Sequence, residues 1–533
     1  MPLVSVSDIL GTNHAPNEHD CVVIQKSLSE QEQLLEQVRT QKADLEEQLL
    51  VTSQREAQLV KSIADHRTLL RASPIRSLPA ELLGEVFLAH CAQYPNLDSG
   101  RHDGVAFRKS RLRLLWVCRR WRDVALSIPR IWAVLSVEYH AFNRPHSEEA
   151  AAWASVLKRW ISSSGHLPLS INFTFTESWD SHYHSDYQNI AFNAIFSQLH
   201  RCKCFIGRLE FDFNGHDAVH RALDQNIPDA PILETLSLRS YRSSSASPII
   251  NWRRKLYATI PRLRHLDVDS ASGIVSLPVQ NIITVKLETA ALSDLFYLVE
   301  NAAVLEELEV GEVEQSRDLR HSQRDAHRLD SLVNVHFRHT DSAAVSRFID
   351  YVTLPSISEL AVRTSSPWSD PAASWPDIDI FIRFFERSAC SLTKLIIAAP
   401  EVDERGFLLG ILPSVPSLQV LHIENEDYDV PLLLPSSVIE YLTGKPKRQN
   451  LTALTDLRIS VQLRQMTGVK KLLDYRHTNW GTLGVTRLSC FSVIVVAARL
   501  STAQMKSRRQ QMREVFSPYQ KAGLSLAWRI QSR

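Results

Sequence analysis

The chain has 533 residues, of which 44% are hydrophobic and 22% charged, with a formal net charge of +1. This length exceeds one compact core and predicts several domains or a repeat array. The near-zero charge provides no global field for nucleic acid or an anionic membrane, so neither is expected as a partner. Seven scattered cysteines indicate reduced thiols in the cytoplasm, the nucleus or both.

The first residues show no targeting pattern. Residues 1–21 lack a basic start followed by an apolar run, so we expect no secretory signal. No window reaches the roughly 18 apolar residues of a membrane span. Residues 1–22 mix Pro, Asn, His and Asp without periodicity, which predicts a disordered leader.

Residues 23–72 are predicted to form a coiled-coil helix. Gln, Glu, Leu, Lys and Arg dominate this stretch, and neither Gly nor Pro interrupts residues 24–71. Apolar residues follow an alternating four-and-three ladder: Ile24, Leu28, Leu35, Val38, Leu45, Leu49, Leu59, Ile63 and Leu70. The polar rungs of the same ladder are Gln31, Lys42, Thr52, Glu56 and His66. A 3.5-residue period favours helix pairing, including a homodimer through 24–70, and a single solvated helix is the alternative.

Residues 73–136 have a different pattern. Ser73-Pro74 ends the long helix, because proline cannot continue it. A new helix is predicted from the apolar stripe of Leu82, Leu83, Val86 and Phe87. Residues 93–109 are predicted to form a polar loop. A second helix is predicted from about Ser110, ending at Ile128-Pro129.

Two short motifs in this segment resemble those of an F-box of the fungal kind. The first is Leu78-Pro79-Ala80-Glu81-Leu82, and the second is Val117-Cys118-Arg119-Arg120-Trp121, followed by Pro129 and Trp132. The resemblance implies a trihelical module that binds a Skp-type linker, which joins a cullin scaffold and a RING subunit. It implies these linker-binding residues: Leu78, Pro79, Leu82, Leu83, Val86, Phe87, Val117, Cys118, Trp121, Pro129 and Trp132. Each is open to two interpretations, domain core or interface, and Cys118 is expected to be buried.

Beyond a connecting helical segment at 137–164, residues 165–533 carry a repeat. Strand-like phrases of the form Leu-x-x-Leu-x-Leu/Val/Ile recur, with Leu236, Leu266, Leu287 and Leu308 aligned at spacings of 30, 21 and 21. Helices are predicted between phrases at 291–301, 343–351, 378–389 and 438–443, and a closing strand, helix and strand at 491–497, 502–522 and 524–530. The fold class expected is mainly α/β: a coiled-coil helix, a trihelical F-box and a leucine-rich-repeat-like solenoid.

Catalytic chemistry is not expected. No nucleotide-binding, zinc-protease or serine-hydrolase motif occurs, so we expect no catalytic, cofactor-binding or metal-binding residue. Cys202 and Cys204, near His182 and His184, are spaced too closely for an ordinary zinc site. The function expected is a non-catalytic substrate adaptor of a Skp-cullin-F-box ubiquitin ligase, with the repeats binding an unknown target. The alternative is a non-ligase repeat scaffold that assembles through its coiled coil.

Overall fold

The computed structural model of this protein describes most of the chain, in fifteen stretches. They are residues 15–70, 74–92, 104–140, 147–176, 193–210, 229–241, 248–314, 326–364, 377–398, 406–423, 434–443, 450–478, 480–483, 485–497 and 501–532. The chain divides into two compact units, Met1–Val86 and Phe87–Arg533. The division falls inside one helix and therefore inside the segment 73–136 that was predicted to be a single module.

The first unit is dominated by a long helix, as predicted. Helix α1 spans Glu18–Leu70, and the short helix α2 spans Pro74–Ser77. The helix begins before the predicted position, because Asn17 caps it: the Asn17 side chain accepts a hydrogen bond from the Asp20 amide at 2.9 Å. Residues 18–22 are therefore helical, and the leader prediction is wrong for them. Residues 1–14 of that leader lie outside the described residues.

Helix α3, Ala80–Ala92, carries the junction between the units. Three helices follow in the second unit: α4 at Gly104–Val117, α5 at Arg119–Leu126 and α6 at Pro129–Trp132. The predicted single helix from Ser110 is thus wrong in two respects. It begins at Gly104, inside the predicted loop, and Cys118 interrupts it with an extended backbone (φ −162°, ψ 171°). Residues 93–103 of the predicted loop lie outside the described residues.

A parallel sheet of 14 strands forms the body of the second unit. The strands lie in chain order and every neighbouring pair is parallel. Their bounds are β1 Val134–His140, β2 Leu169–Thr176, β3 Cys202–Glu210, β4 Thr235–Tyr241, β5 His265–Ser270, β6 Thr284–Ala291, β7 Glu307–Glu314, β9 Asn334–Thr340, β11 Glu359–Thr364, β12 Lys394–Ala398, β13 Val420–Ile423, β14 Asp456–Gln462, β15 Cys490–Ala497 and β16 Ser525–Ser532. Strands β8 (His327–Arg328) and β10 (Val352–Thr353) pair separately. The sheet begins at Val134, so the predicted boundaries at 136 and 165 are too late.

Helices connect many of these strands. Their bounds are α7 Ser147–Ser163, α8 Pro248–Tyr257, α9 Leu292–Asn301, α10 Ser342–Tyr351, α11 Ile378–Ser388, α12 Phe407–Ile411, α13 Ser436–Thr443, α14 Met466–Leu473, α15 Trp480–Leu483 and α16 Thr502–Lys521. The fold is therefore mixed α/β, with a long N-terminal helix and a large parallel sheet. In the part of the chain that the structure describes, no helix is both long and apolar enough to cross a membrane.

The recurring Leu-x-x-Leu-x-Leu/Val/Ile motif accounts for the buried side chains of the sheet. Its first residue lies in the turn before a strand, and the residues three and five positions later point from the strand into the core. Leu263, Leu266 and Val268 at β5 are each at most 1% exposed. The same positions are equally buried in later phrases: Leu305, Leu308 and Val310; Leu418, Leu421 and Ile423; Leu454, Leu457 and Ile459. Each sequence repeat buries its apolar face only when the strand of the next repeat pairs with its own strand.

The strand register corrects one predicted alignment. Leu266 pairs with Val285, and Leu287 pairs with Val268, so Val285 and not Leu287 holds the central position at β6. The repeat that runs from β5 to β6 is short because two 3₁₀ turns, Ile274–Ser276 and Val279–Asn281, connect the strands in place of an α-helix. Sequence spacing alone could not show whether Val285 or Leu287 holds the central position of the motif.

The connecting helices contribute side chains that pack against the buried residues of the strands. Phe337 on β9 packs edge-on against Phe348 on α10, with ring centroids 5.3 Å apart. Buried or half-buried arginines bind main-chain carbonyls at and after helix ends. Arg476 is fully buried and donates to the main-chain carbonyls of Leu442 at 3.0 Å and Leu451 at 2.7 Å, at and beyond the end of α13. Arg201 and Arg387 make the same kind of contact, with carbonyls that follow α7 and α10.

Candidate partner-binding surfaces

Helix α3 exposes apolar side chains in the first unit. Leu82 is 54% and Val86 43% exposed, and Pro79 at the start of the helix is also exposed. The three residues follow helical spacing, so they share one face. Leu83, one position further, is fully buried, and its amide donates to the Pro79 carbonyl at 3.0 Å. Leu78, before the helix, is half-buried. The predicted stripe therefore separates into an exposed and a buried set.

A second exposed apolar pair lies in the second unit, at the end of α4. Trp116 is 70% and Val117 57% exposed, while Leu114 is buried. Trp116 is a residue that the sequence analysis missed. Its position two residues after a buried leucine indicates the opposite helix face, and that is the signal which could have found it.

Cys118 and Trp121 lie where α5 begins. Cys118 is exposed, so the expectation that it is buried is wrong. Its extended backbone ends α4 and takes its side chain out of the helical stripe on which that expectation depended. Trp121 is half-buried, and its ring lies 4.8 Å from the ring of Phe87, which is 1% exposed. Phe87 thus belongs to the core, and Trp121 has both a packed and an open side.

Trp132 is a core residue. It is 2% exposed, and its indole N–H donates to the Ala125 carbonyl at 2.8 Å. The Trp160 indole N–H in turn donates to the Trp132 carbonyl at 3.1 Å. Of the two interpretations left open for Trp132, the structure favours the core. Pro129, at the start of α6, is exposed.

Exposed basic residues lie along α4 to α6, the helix that carries the exposed apolar pair and the two that follow it. The exposed arginines of this region are Arg113, Arg119, Arg120, Arg122 and Arg130. Arg122 is partly fixed, because its Nε donates to the Leu115 carbonyl at 3.0 Å. Arg111 differs: burial lowers the pKa of its guanidinium to about 10, against a smaller opposing effect of the Cys91 thiol, and it donates to the Ile131 carbonyl. Asp123 on α5 is the one exposed acidic residue on the described parts of these helices, so their exposed charge is mainly positive, which suits an acidic partner.

A separate surface is the face of the sheet that does not carry the buried phrase. Ion pairs cross its neighbouring strands. Lys286 lies 2.9 Å from Glu307 and 3.2 Å from Glu309, and Arg338 also pairs with Glu309. Arg239 on β4 makes a two-pronged contact with Asp267 on β5, at 2.9 and 3.0 Å. These pairs fix charges of both signs at defined positions on the sheet.

His336 and Glu359 make a further contact between neighbouring strands on the same face of the sheet. The His336 Nε2 lies 3.0 Å from a Glu359 oxygen, and Lys394 lies 2.7 Å from the same carboxylate. Burial lowers the pKa of His336, although the Glu359 carboxylate opposes that shift. Further along, His422 lies 3.5 Å from Asp456. Burial raises the pKa of Asp456, but His422, the charge of Arg458 and a hydrogen bond from Cys490 together lower it further, so the net shift is downward.

The described residues contain no group of three or more His, Cys, Asp or Glu side chains that could hold a metal ion. Cys202 is buried and Cys204 half-buried on β3, while His182 and His184 lie outside the described residues. All seven cysteines are free thiols.

Comparison with known proteins shows no family for this chain. No family model matches the chain, and no curated protein matches it. Among solved structures, the chain is similar to a protein from Bacteroides fragilis at 13% identity and a TM-score of 0.28, over 62% of this chain and 74% of that one.

Proposed function

We propose that this protein is the substrate-recognition adaptor of a Skp-cullin-F-box type ubiquitin ligase. The observation that carries the proposal is the exposure of large apolar side chains in or beside each motif that resembles an F-box: Leu82 and Val86 in the first unit, and Trp116 and Val117 in the second. Exposed apolar groups of this size are typical of protein-binding surfaces. Trp116 is the strongest candidate anchor, because tryptophans dominate the binding free energy of many interfaces.

The proposed mechanism requires no catalytic residue. The segment 73–136 would bind a Skp-type linker that joins a cullin scaffold. The sheet would bind the target and so raise the effective concentration of target lysines beside the ubiquitin-conjugating enzyme. The free cysteines favour a reducing compartment, and we place the adaptor in the cytoplasm, the nucleus or both.

Linker binding is testable with the full-length chain and a purified complex of a Skp-type linker with its cullin. We expect wild type to retain the linker and the cullin in a pull-down. The combined change Leu82→Asp with Trp121→Ala should abolish retention, because a carboxylate replaces an exposed apolar contact and a hot-spot ring is lost. Trp116→Ala alone should weaken binding by at least about tenfold, equivalent to the loss of roughly 1.4 kcal/mol.

Matched controls are present in the chain. Trp480 is 43% exposed and lies outside the F-box-like segment, so Trp480→Ala should leave linker binding unchanged. Leu50 on α1 is 59% exposed and serves as the control for Leu82→Asp. Retention of the linker by the combined variant, or no retention by wild type, would contradict the proposal.

We further propose that the sheet and its connecting helices form a leucine-rich-repeat-like solenoid that binds the target through its open strand face. The repeated burial pattern supports the solenoid, since stacked units share one core. Lys286 and Arg338 support the binding face, because both are partly exposed and the buried Glu309 carboxylate fixes them at defined positions. Affinity purification with mass spectrometry, comparing wild type with Lys286→Glu, tests the face: unchanged capture would argue against it.

The second candidate function is a repeat scaffold without ligase activity that assembles through α1. The exposed apolar ladder of α1 favours assembly. This alternative predicts self-association and target capture but no co-purifying cullin, so the same purification separates the two functions.

A further inference from the structure

The apolar ladder of α1 has no partner within the described residues of its own unit. The rungs from Leu28 to Ile63 are exposed, between 49% at Leu35 and 68% at Leu49. A single helix gains nothing from a strict 3.5-residue apolar period, because its own turn is 3.6 residues. A period sustained over the length of α1 therefore indicates a second helix that packs along it.

We infer that the occupant of this ladder is a second copy of α1, in parallel and in register. At 1.5 Å per residue the seam from Ile24 to Leu70 is about 70 Å long, and a helix covers a strip about 10 Å wide. The pair would bury roughly 1,400 Å² in total, which lies within the range of stable protein interfaces. The ladder therefore offers a dimer enough area.

The parallel direction follows from the order of apolar and polar rungs. In register, each rung meets its own copy, so every apolar rung faces an apolar one. Full antiparallel overlap of the same segment pairs different rungs and would oppose Val38 to Glu56 and Leu28 to His66. That arrangement buries carboxylate or imidazole against aliphatic side chains, which is costly.

Like charges at two rungs limit the strength of the parallel seam. Lys42 and Glu56 each meet their own copy, although Lys42 lies 3.7 Å from Glu46 of the same helix, which offsets part of its charge. Seams with charged rungs pair specifically at reduced stability. The dimer is accordingly expected to be reversible and not permanent.

The dimer would give the proposed adaptor two target-binding sheets. Both chains leave a parallel seam at the Leu70 end, so a target with two recognition segments could be held by both copies at once. This consequence depends on the proposed function, whereas dimerisation itself does not. Loss of linker binding would leave the dimer intact, and loss of the dimer would leave linker binding intact.

Analytical ultracentrifugation of the full-length chain tests the dimer with a neighbouring pair of leucines. Leu49 is a rung and Leu50, at 59% exposure, is not. Leu49→Asp should raise the dimer dissociation constant by at least about 100-fold, because both copies lose a buried leucine. Leu50→Asp should change it by less than about threefold. A monomeric wild type, or equal effects of the two variants, would overturn the inference.

The native Cys21 tests the direction. It lies three residues before Ile24, at the next position of the ladder, and it is a free thiol. A parallel pair places both copies of Cys21 together, whereas full antiparallel overlap separates them by about 75 Å. In a Cys118→Ser background, mild oxidation should give a covalent dimer that Cys21→Ser abolishes. A dimer that oxidation cannot link through Cys21 would overturn the parallel register.

Discussion

The indole N–H of Trp160 donates to the main-chain carbonyl of Trp132 at 3.1 Å, and the two rings meet edge-on with centroids 4.9 Å apart. Trp132 closes the short helix α6 and Trp160 belongs to α7, so this contact attaches the last F-box-like helix to a helix of the sheet layer. Edge-to-face aromatic pairs add stability beyond the area that they bury. Helix α6 is therefore part of the core of the second unit.

Trp132→Ala should destabilise the second unit by about 3–5 kcal/mol, because it removes a buried indole, its hydrogen bond and its ring contact. Thermal unfolding followed by circular dichroism measures the change. Trp116→Ala is the matched control, since Trp116 is exposed and should leave the unfolding midpoint unchanged. Equal midpoints for the two variants would contradict the assignment of Trp132 to the core.

Arg476→Met should destabilise the unit by about 2–4 kcal/mol, since several buried carbonyls lose their donor. Burial lowers the pKa of Arg476 to about 10, so it remains charged at neutral pH. Arg476→Lys should not restore stability, because an ammonium cannot reproduce the planar guanidinium contacts. Arg464, an exposed neighbour in the chain, is the control. Denaturant unfolding distinguishes these variants. Full stability of Arg476→Lys would contradict the role of the guanidinium in binding the carbonyls at the end of α13.

Gly311→Ala should separate β7 from β6. A Cβ at Gly311 would lie 2.4 Å from the Glu288 carbonyl oxygen, which is main chain and cannot turn aside. We expect a loss of at least about 2 kcal/mol. Gly481→Ala is the control, because nothing lies within 4 Å of its added Cβ. Hydrogen exchange should show faster exchange confined to β6, β7 and their neighbours.

The stability of the sheet should fall on mild acidification through His336. Its pKa is lowered in the folded state, so the unfolded state binds more protons as the pH falls from about 7 through the ordinary histidine pKa of about 6.5. Unfolding is then favoured below that pKa. His336→Gln should flatten the fall in unfolding midpoint between about pH 7 and pH 5. An unchanged slope would show that other groups carry the acid dependence.

Linker binding should weaken as salt rises. The exposed arginines of α4 to α6 would attract an acidic linker at long range, and salt screens that attraction. From about 0.05 M to about 0.5 M salt we expect the association rate to fall on the order of tenfold, with little change in the dissociation rate. Arg119→Glu with Arg120→Glu should reproduce the slow association at low salt. Surface plasmon resonance measures both rates.

The sequence by itself determined the long helix and most strands of the sheet. Period and spacing suffice for these features, because the 3.5-residue ladder of α1 and the Leu-x-x-Leu-x-Leu phrase are local patterns. The phrase at Leu263 and the phrase at Leu454 predict their own strands without knowledge of any neighbour. The register could not be read from one strand alone. Only the pairing of Leu266 with Val285 shows which residue holds the central position of the β6 motif.

Only the tertiary structure decided which side chains of the F-box-like segment are open. Trp116, Trp121 and Trp132 are alike as residues, yet one is exposed, one half-buried and one buried. Trp121 lies beyond the break at Cys118 and packs one side of its ring against Phe87, and Trp132 is covered by Trp160, which lies 28 residues later in the chain. Burial depends on what packs against a residue from distant parts of the chain, and a local pattern cannot contain that information.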